Sequence, residues 1–282
     1  MTRVARIGSP AWIRRKLALG HRYQVLRGTL RLFGAYGAMR YGYQVLYGHR
    51  FGTSPEYVLE PALSAHPLTL RRRTSDLLVF RQVFIDREYG CLDPLKDVRL
   101  IVDAGANVGL TSAYLLSRWP EAELVALEPH EGNFRLAARN LAAFGHRARV
   151  FRKALWSHPC MLRVHDPNPT GREWSVQVRE AETGEVGEVQ ATDVPSLLRE
   201  TGHQRISVLK MDIEGAEAVV FSGPCQWLNE VDALVVELHD SRGFGDAGDA
   251  FQRAIDGRGF TFKQAGELTL CRRPTACDSP SS

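Results

Sequence analysis

Ile101-Val102-Asp103-Ala104-Gly105-Ala106-Asn107-Val108-Gly109-Leu110-Thr111 carries the chain from an apolar strand, through two glycines, into the first turn of a helix. A strand that passes to a helix through a glycine turn opens a βαβ unit. In such sheets ligands bind beyond the carboxyl ends of the strands, where the strand order reverses. Gly105 lets the backbone turn sharply and, having no Cβ, lets a ligand come close. Gly109 opens the helix, whose free N–H groups and positive end suit polar or anionic ligand atoms. Spacing narrows the ligand class. A dinucleotide fingerprint reads G-x-G-x-x-G, its middle glycine admitting a pyrophosphate. Here Asn107 holds the middle position and Leu110 replaces the last glycine. The pattern D-x-G-x-x-x-G, anchored on Asp103, suits a nucleoside without pyrophosphate and disfavours a nicotinamide cofactor. The bland alternative is a plain strand-to-helix turn, which also favours glycine.

Outward from this joint, short apolar runs alternate with helical patterns from Val98 to Arg272. The pattern predicts strands over Arg99–Asp103, Leu124–Leu127, Ala148–Lys153, Ile206–Met211 and Ala233–Glu237. Helices are expected over Gly109–Arg118, Glu131–Phe144, Val194–Thr201 and Ala247–Gly257, with a short one after Gly215. Phe260–Lys263 and Leu268–Cys271 read as a closing strand pair, and Trp174–Val178 alternates as one arm of a hairpin. The fold class is therefore α/β: a doubly wound, mostly parallel Rossmann-like sheet flanked by helices. Leu77–Ile85, rich in β-branched and aromatic residues, reads as a strand. Three regions follow: a basic extension over 1–75, partly helical around Trp12–Leu32; the α/β domain over 76–273; and a loose tail over 274–282.

Two further segments deliver polar groups to the edge where Gly105 turns. Glu128 ends the apolar run Leu124-Val125-Ala126-Leu127, and a carboxylate there can accept two charge-assisted hydrogen bonds from a ribose diol. Later, Lys210-Met211-Asp212-Ile213-Glu214-Gly215 leaves the sheet with Lys210, Asp212 and Glu214 on one side by alternation. Three ionisable groups at a strand end are costly unless they pair or meet a ligand. A Lys210–Glu214 ion pair that merely pins the loop is the plainer alternative. Glu237 and His239 end the next strand, and an imidazole there can take a proton from a substrate hydroxyl. Asp193 reads as the N-cap of the helix it precedes. The histidines show no metal-ligand spacing, and no metal is expected.

These pieces together resemble the FkbM-type family of S-adenosylmethionine (SAM)-dependent methyltransferases. The matching segments are VDAGANVGLTS (102–112), ALEPHEGNFRLAARNL (126–141), KAL (153–155), ATDVPSLL (191–198), LKMDIEGAEAVVFSG (209–223) and VVELH (235–239). The resemblance covers roughly residues 99–240 and implies the class I methyltransferase fold and O-methylation of a hydroxyl on a sugar, polyketide or other metabolite. By position it implies that Asp103, Gly105, Asn107 and Gly109 hold the methionine part of SAM and Glu128 the ribose. Ala154 and Leu155 would lie beside the adenine. Asp212 and Glu214 would face the methyl and the acceptor, with Glu214 or His239 as base beside Lys210. The stretch 166–189 is variable and would carry acceptor contacts. Competing readings are a non-catalytic SAM- or nucleotide-binding partner subunit and a nucleic-acid methyltransferase. The latter usually carries an Asn/Asp-Pro-Pro-aromatic motif where this chain has D-x-E-G.

Charge divides the chain unevenly. Residues 1–55 hold ten Lys or Arg and no Asp or Glu, leaving 26 basic against 32 acidic residues in 56–282. The five scattered cysteines form no C-x-x-C pair, which favours a reducing, cytoplasmic setting over a disulfide framework. The longest apolar stretch, Leu32 to Tyr47, is cut by Arg40 and three glycines, so no membrane span is expected. The arm reads either as a helical cap showing its arginines to solvent or as a peripheral contact with an anionic membrane. Nucleic acid is disfavoured, because the acidic body continues no basic groove. The expected partner is a small-molecule or glycan hydroxyl acceptor.

Overall fold

The computed structural model describes residues 29–30, 33–165, 177–181, 185–239 and 246–274. In chain order a helical segment ending at Phe51 precedes the hairpin β1 (Glu56–Leu59) and β2 (Leu68–Arg71), then α1 (Asp76–Phe80), which continues as a π-helical turn to Ile85. The α/β core follows with β3 (Leu100–Ala104), α2 (Leu110–Arg118), β4 (Glu123–Leu127), α3 (Glu131–Leu141) and β5 (Ala148–Phe151). A second sheet is drawn from β6 (Lys153–Leu155), β7 (Met161–His165), β8 (Gln177–Glu180) and β9 (Val189–Thr192). The chain closes with α4 (Val194–Thr201), β10 (Ile206–Met211), α5 (Glu217–Ser222), β11 (Val231–Glu237), α6 (Ala247–Ile255), β12 (Thr261–Ala265) and β13 (Leu268–Arg272).

The main sheet runs β12-β13-β11-β10-β3-β4-β5. Pairings from β11 through β5 are all parallel, and β13 is antiparallel to both its neighbours. All five residues of β3 are buried, as a central strand covered on both faces requires. Alternate side chains of each strand feed opposite layers. Ile101, Leu124 and Ala126 join the core under α1, α2 and α3, whereas Val102, Val125 and Leu127 join the core under α4, α5 and α6. From β3 the chain winds outward to β4 and β5, then returns to place β10 on β3's other side. The crevice beyond β3 and β10 is thus the point where strand order reverses.

Two expectations, on Leu77–Ile85 and on Ala148–Lys153, are corrected here. Leu77–Ile85 is helical, because Leu77, Phe80, Val83 and Phe84 are buried at helical spacing while Leu78 and Gln82 are exposed. Its aromatics pack against Tyr41 and Tyr114, a tertiary preference that outweighs the β-rich composition. The single strand expected over Ala148–Lys153 breaks at Arg152 into β5 and β6, which belong to different sheets. Residues 56–71, read as part of the extension, form a hairpin tied to the core. Asn140 Oδ1 accepts from the Thr69 amide at 2.8 Å, and Asn140 Nδ2 donates to the carbonyls of Thr69 and Val108. Most of Trp12–Leu32, and 174–176 of the expected Trp174–Val178 strand, lie outside the described residues, although Thr29 and Leu30 are helical. No helix of the described residues is long and apolar enough to cross a membrane.

Candidate active site

The turn after β3 is built by its own backbone. The amides of Gly105 and Ala106 both donate to the Leu127 carbonyl, at 3.0 and 2.9 Å, which clamps the turn to the end of β4. The next amide, that of Asn107, donates to Glu128 Oε2 at 2.8 Å, and the His130 amide donates to Oε1 at 2.9 Å. Glu128 is therefore held rigidly with its carboxylate against the loop. Burial pushes its carboxyl up to about 7, against the pull of those two amides and of Lys210.

Lys210 ties β10 to this loop. Its buried ammonium lies 3.2 Å from Asp103 Oδ1, donates to the Gly105 carbonyl at 2.7 Å and stands 3.6 Å from Asp212. Asp103 is wholly buried, and its other oxygen accepts from Ser112 Oγ at 2.6 Å. Burial alone would lower the lysine's pKa, but Asp103 and its neighbours outweigh that and hold it charged. The partner of Lys210 is Asp103 rather than Glu214, and its ammonium is spent on organising the loop. This argues for a positioning role instead of the catalytic one expected.

Beyond β10 the chain turns through Asp212, Ile213 and Glu214, the last with φ +56. Glu217, wholly buried at the start of α5, caps this turn by accepting from the amides of Ile213 (2.9 Å) and Gly215 (2.8 Å). Its Oε1 also lies 3.2 Å from His239 Nδ1, while His239 Nε2 faces Glu237 at 3.4 Å and Asp212 at 3.9 Å. Burial works against the charged imidazole, but the hydrogen bonds to Glu217 and Glu237 and the charge of Asp212 outweigh it and push the pKa up to about 11. In this setting His239 carries its proton at neutral pH, which speaks against the expected role as a base. Glu214 is different: burial, then the nearby Asp212 charge, push its carboxyl up to about 7.

Most of these groups line one cavity of about 570 Å³, whereas Asp103 and Glu217 are buried behind it. Gly105, Asn107, Glu128, Ala154 and Leu155 form one part of its wall, and Lys210, Asp212, Glu214 and His239 another. Gly109 does not line it. Its amide is spent on the Ala106 carbonyl, and a Cβ there would stand 3.2 Å from the Ala137 backbone, so this glycine serves helix packing. Gly105 lines the cavity, and the place a Cβ would take there is occupied by the Asp212 carbonyl, so this glycine also admits the close approach of the turn after β10. Asn107 adopts φ +51 and its Oδ1 is buried without a hydrogen-bond partner. One ligand atom each from Asp212, Glu214 and His239 lie within 4.8 Å of one another, a donor set that could hold a cation and that sequence spacing did not announce.

Sequence reading missed Glu217, although it stands three residues after Glu214 in the segment singled out; its buried capping role required the turn geometry. It also missed Glu88 and Tyr89, which line the cavity from the segment preceding β3. Burial, then the charge of Glu237, push Glu88 up to about 7. Nothing in the spacing of that segment marked it. Asp193, by contrast, caps α4 as expected, accepting from the Ser196 amide at 2.8 Å.

A family described as the methyltransferase FkbM domain matches residues 103–263. Among curated proteins, the chain is 30% identical over 186 residues to Methyltransferase 1 of Beauveria bassiana, covering 58% of this chain and 74% of that protein. It is 28% identical over 202 residues to Methyltransferase sdnD of Sordaria araneosa, covering 60% and 76%. It is 27% identical over 188 residues to 2-O-methyltransferase NoeI of Sinorhizobium fredii, covering 61% and 73%.

Proposed function

Because the chain belongs to the FkbM methyltransferase domain family, we propose that it transfers a methyl group from SAM to a hydroxyl oxygen of a sugar, polyketide or other small metabolite. The observation that carries this reading is the cavity at the β3/β10 crevice, with Glu128 clasped on one side and Asp212 and Glu214 on the other. The relative named as a 2-O-methyltransferase supports oxygen as the acceptor atom.

The residues present fit SAM. The volume lies within the range of small-ligand sites. Asn107 Oδ1 is an orphaned buried acceptor, and an ammonium group would satisfy it. Glu128 is a buried carboxylate fixed by two amides, ready to accept from a ribose diol. Asp103 acts at one remove, holding Lys210 and through it the loop. Ala154 and Leu155 offer apolar contact for a base. When bound, SAM supplies an electrophilic methyl on a sulfonium. The protein's part is to align the acceptor oxygen and exclude water. Glu214 takes the hydroxyl proton, since its carboxyl is poised near neutrality. Asp212 orients the acceptor, and Glu217 and His239 hold the turn that carries both.

This assignment has a pH signature. A base with a pKa near 7 is deprotonated above it, so kcat on a hydroxyl acceptor should rise as pH climbs through about 7 and then level. Glu214→Gln should lower kcat by roughly 10²–10⁴-fold and flatten that rise, with SAM affinity unchanged. Full turnover by the variant, with the rise intact, would remove Glu214 from the role of base.

A further inference from the structure

Ahead of the hairpin, residues 33–43 are helical and continue through a π-helical turn (Gln44–Gly48) into a last turn at His49–Phe51. One side of this helix is used: Phe33 stacks on Tyr41 and on Phe80 of α1, Tyr41 packs tilted against Phe80, and Gln44 accepts from Arg72. Among the described residues nothing covers the other side. Tyr36, Met39, Tyr43, Tyr47 and Phe51 recur at three- to four-residue intervals with Leu46 beside Tyr47, and each is between 58% and 71% exposed. Scattered exposed apolar residues need no explanation, but an apolar, tyrosine-rich stripe along one helix face does. Arg40 and Arg50 stand exposed along the same stripe.

We propose that this face rests on an anionic lipid surface, with the helix lying in the interfacial plane. Three observations carry it. The stripe is rich in tyrosine, whose ring prefers the boundary between headgroups and acyl chains while its hydroxyl stays hydrated. The surrounding chain is complementary to an anionic surface: residues 1–55 carry ten Lys or Arg and no acid. The segment is interrupted by glycines and arginine and is too short and polar to span a bilayer. A second copy of the chain is the rival occupant. Charge disfavours it, because self-pairing would bring Arg40 and Arg50 of two copies together with no acidic residue in 1–55 to offset them. The helix packs through Phe80 on α1, whose Leu78 and Val79 line the cavity, so the contact lies next to the candidate active site.

The test is co-sedimentation of the full chain with vesicles of phosphatidylcholine alone or mixed with phosphatidylglycerol, at low and high salt. Partitioning should require phosphatidylglycerol and fall as salt rises. The triple variant Tyr43→Ser, Leu46→Ser, Tyr47→Ser should partition at least roughly tenfold more weakly. Its melting temperature and SAM affinity should match the parent's, which separates this inference from the proposed activity. No partitioning onto anionic vesicles would overturn the inference. So would equal partitioning by the triple variant, which would leave the contact to the basic arm alone. A sedimentation-velocity dimer abolished by the same three substitutions would also overturn it, assigning the face to a second copy.

Discussion

Gly105→Ala should collapse the site and lower the melting temperature by roughly 10 °C, at about 2–4 °C per kcal/mol for a domain of this size. Two costs combine at one atom. The backbone there has φ +78, which a side chain tolerates at a cost of roughly 1–2 kcal/mol. A Cβ would also stand 1.8 Å from the Asp212 carbonyl oxygen, so β3 and the turn after β10 must part. Overpacking of this kind costs about 1–3 kcal/mol more. Parting them also disturbs the Asp212 amide, which donates to the Ala104 carbonyl at 3.2 Å, and the Lys210 ammonium held by the Gly105 carbonyl. SAM affinity should fall with the fold. Gly202→Ala is the control: its φ is +75, but nothing lies within 4 Å of an added Cβ, so about 1 kcal/mol is expected. Thermal melts of the two variants check the difference. Equal, small shifts would mean that the Asp212 carbonyl does not occupy the space beside Gly105.

The second large effect is at Lys210. Lys210→Met keeps much of the side-chain volume but strands Asp103, wholly buried and 3.2 Å from the lost ammonium. Breaking a buried pair from one side costs about 3–5 kcal/mol, because the remaining charge is uncompensated. That is a large share of the roughly 5–15 kcal/mol that holds a domain together. Adding Asp103→Asn removes the stranded charge and keeps a group that can accept from Ser112, so the double variant should recover much of the loss. Urea unfolding of the two single variants and the double variant measures the coupling. If the single and double variants lose equal stability, the pair is not what secures the loop. A turnover defect in the double variant that exceeds its stability defect would restore a direct catalytic role to Lys210.

Much of this was legible in the sequence because a strand covered on both faces reads as an unbroken apolar run, as in β3, and a helix covered on one face as a periodic one. Ile206–Met211 and Val194–Thr201 have the ends expected of them, the helix marked by Asp193 and Pro195 and closed by Gly202. What failed was read from composition without partners. Leu77–Ile85 has β-forming residues but helical burial, and only the aromatic contacts of Phe80 and Phe84 decide between the two. At the site, spacing brought Asp103, Glu128, Asp212, Glu214 and His239 to one sheet edge. It did not reveal how the charges divide among them. That Lys210 serves Asp103, and that Glu217 and Glu237 keep His239 protonated, depends on approaches between residues far apart in the chain.

The central claim, that the β3/β10 cavity is a SAM site anchored by Glu128, is tested most directly by calorimetric titration of the full chain with SAM, with NADH as control and the parent set beside Glu128→Ala. The account predicts saturable SAM binding, no binding of NADH, and a weakening of at least roughly tenfold in the variant, since each lost charge-assisted hydrogen bond is worth about 1.5–3 kcal/mol. A folded parent that does not bind SAM, or a Glu128→Ala variant that binds it as tightly as the parent, would contradict it.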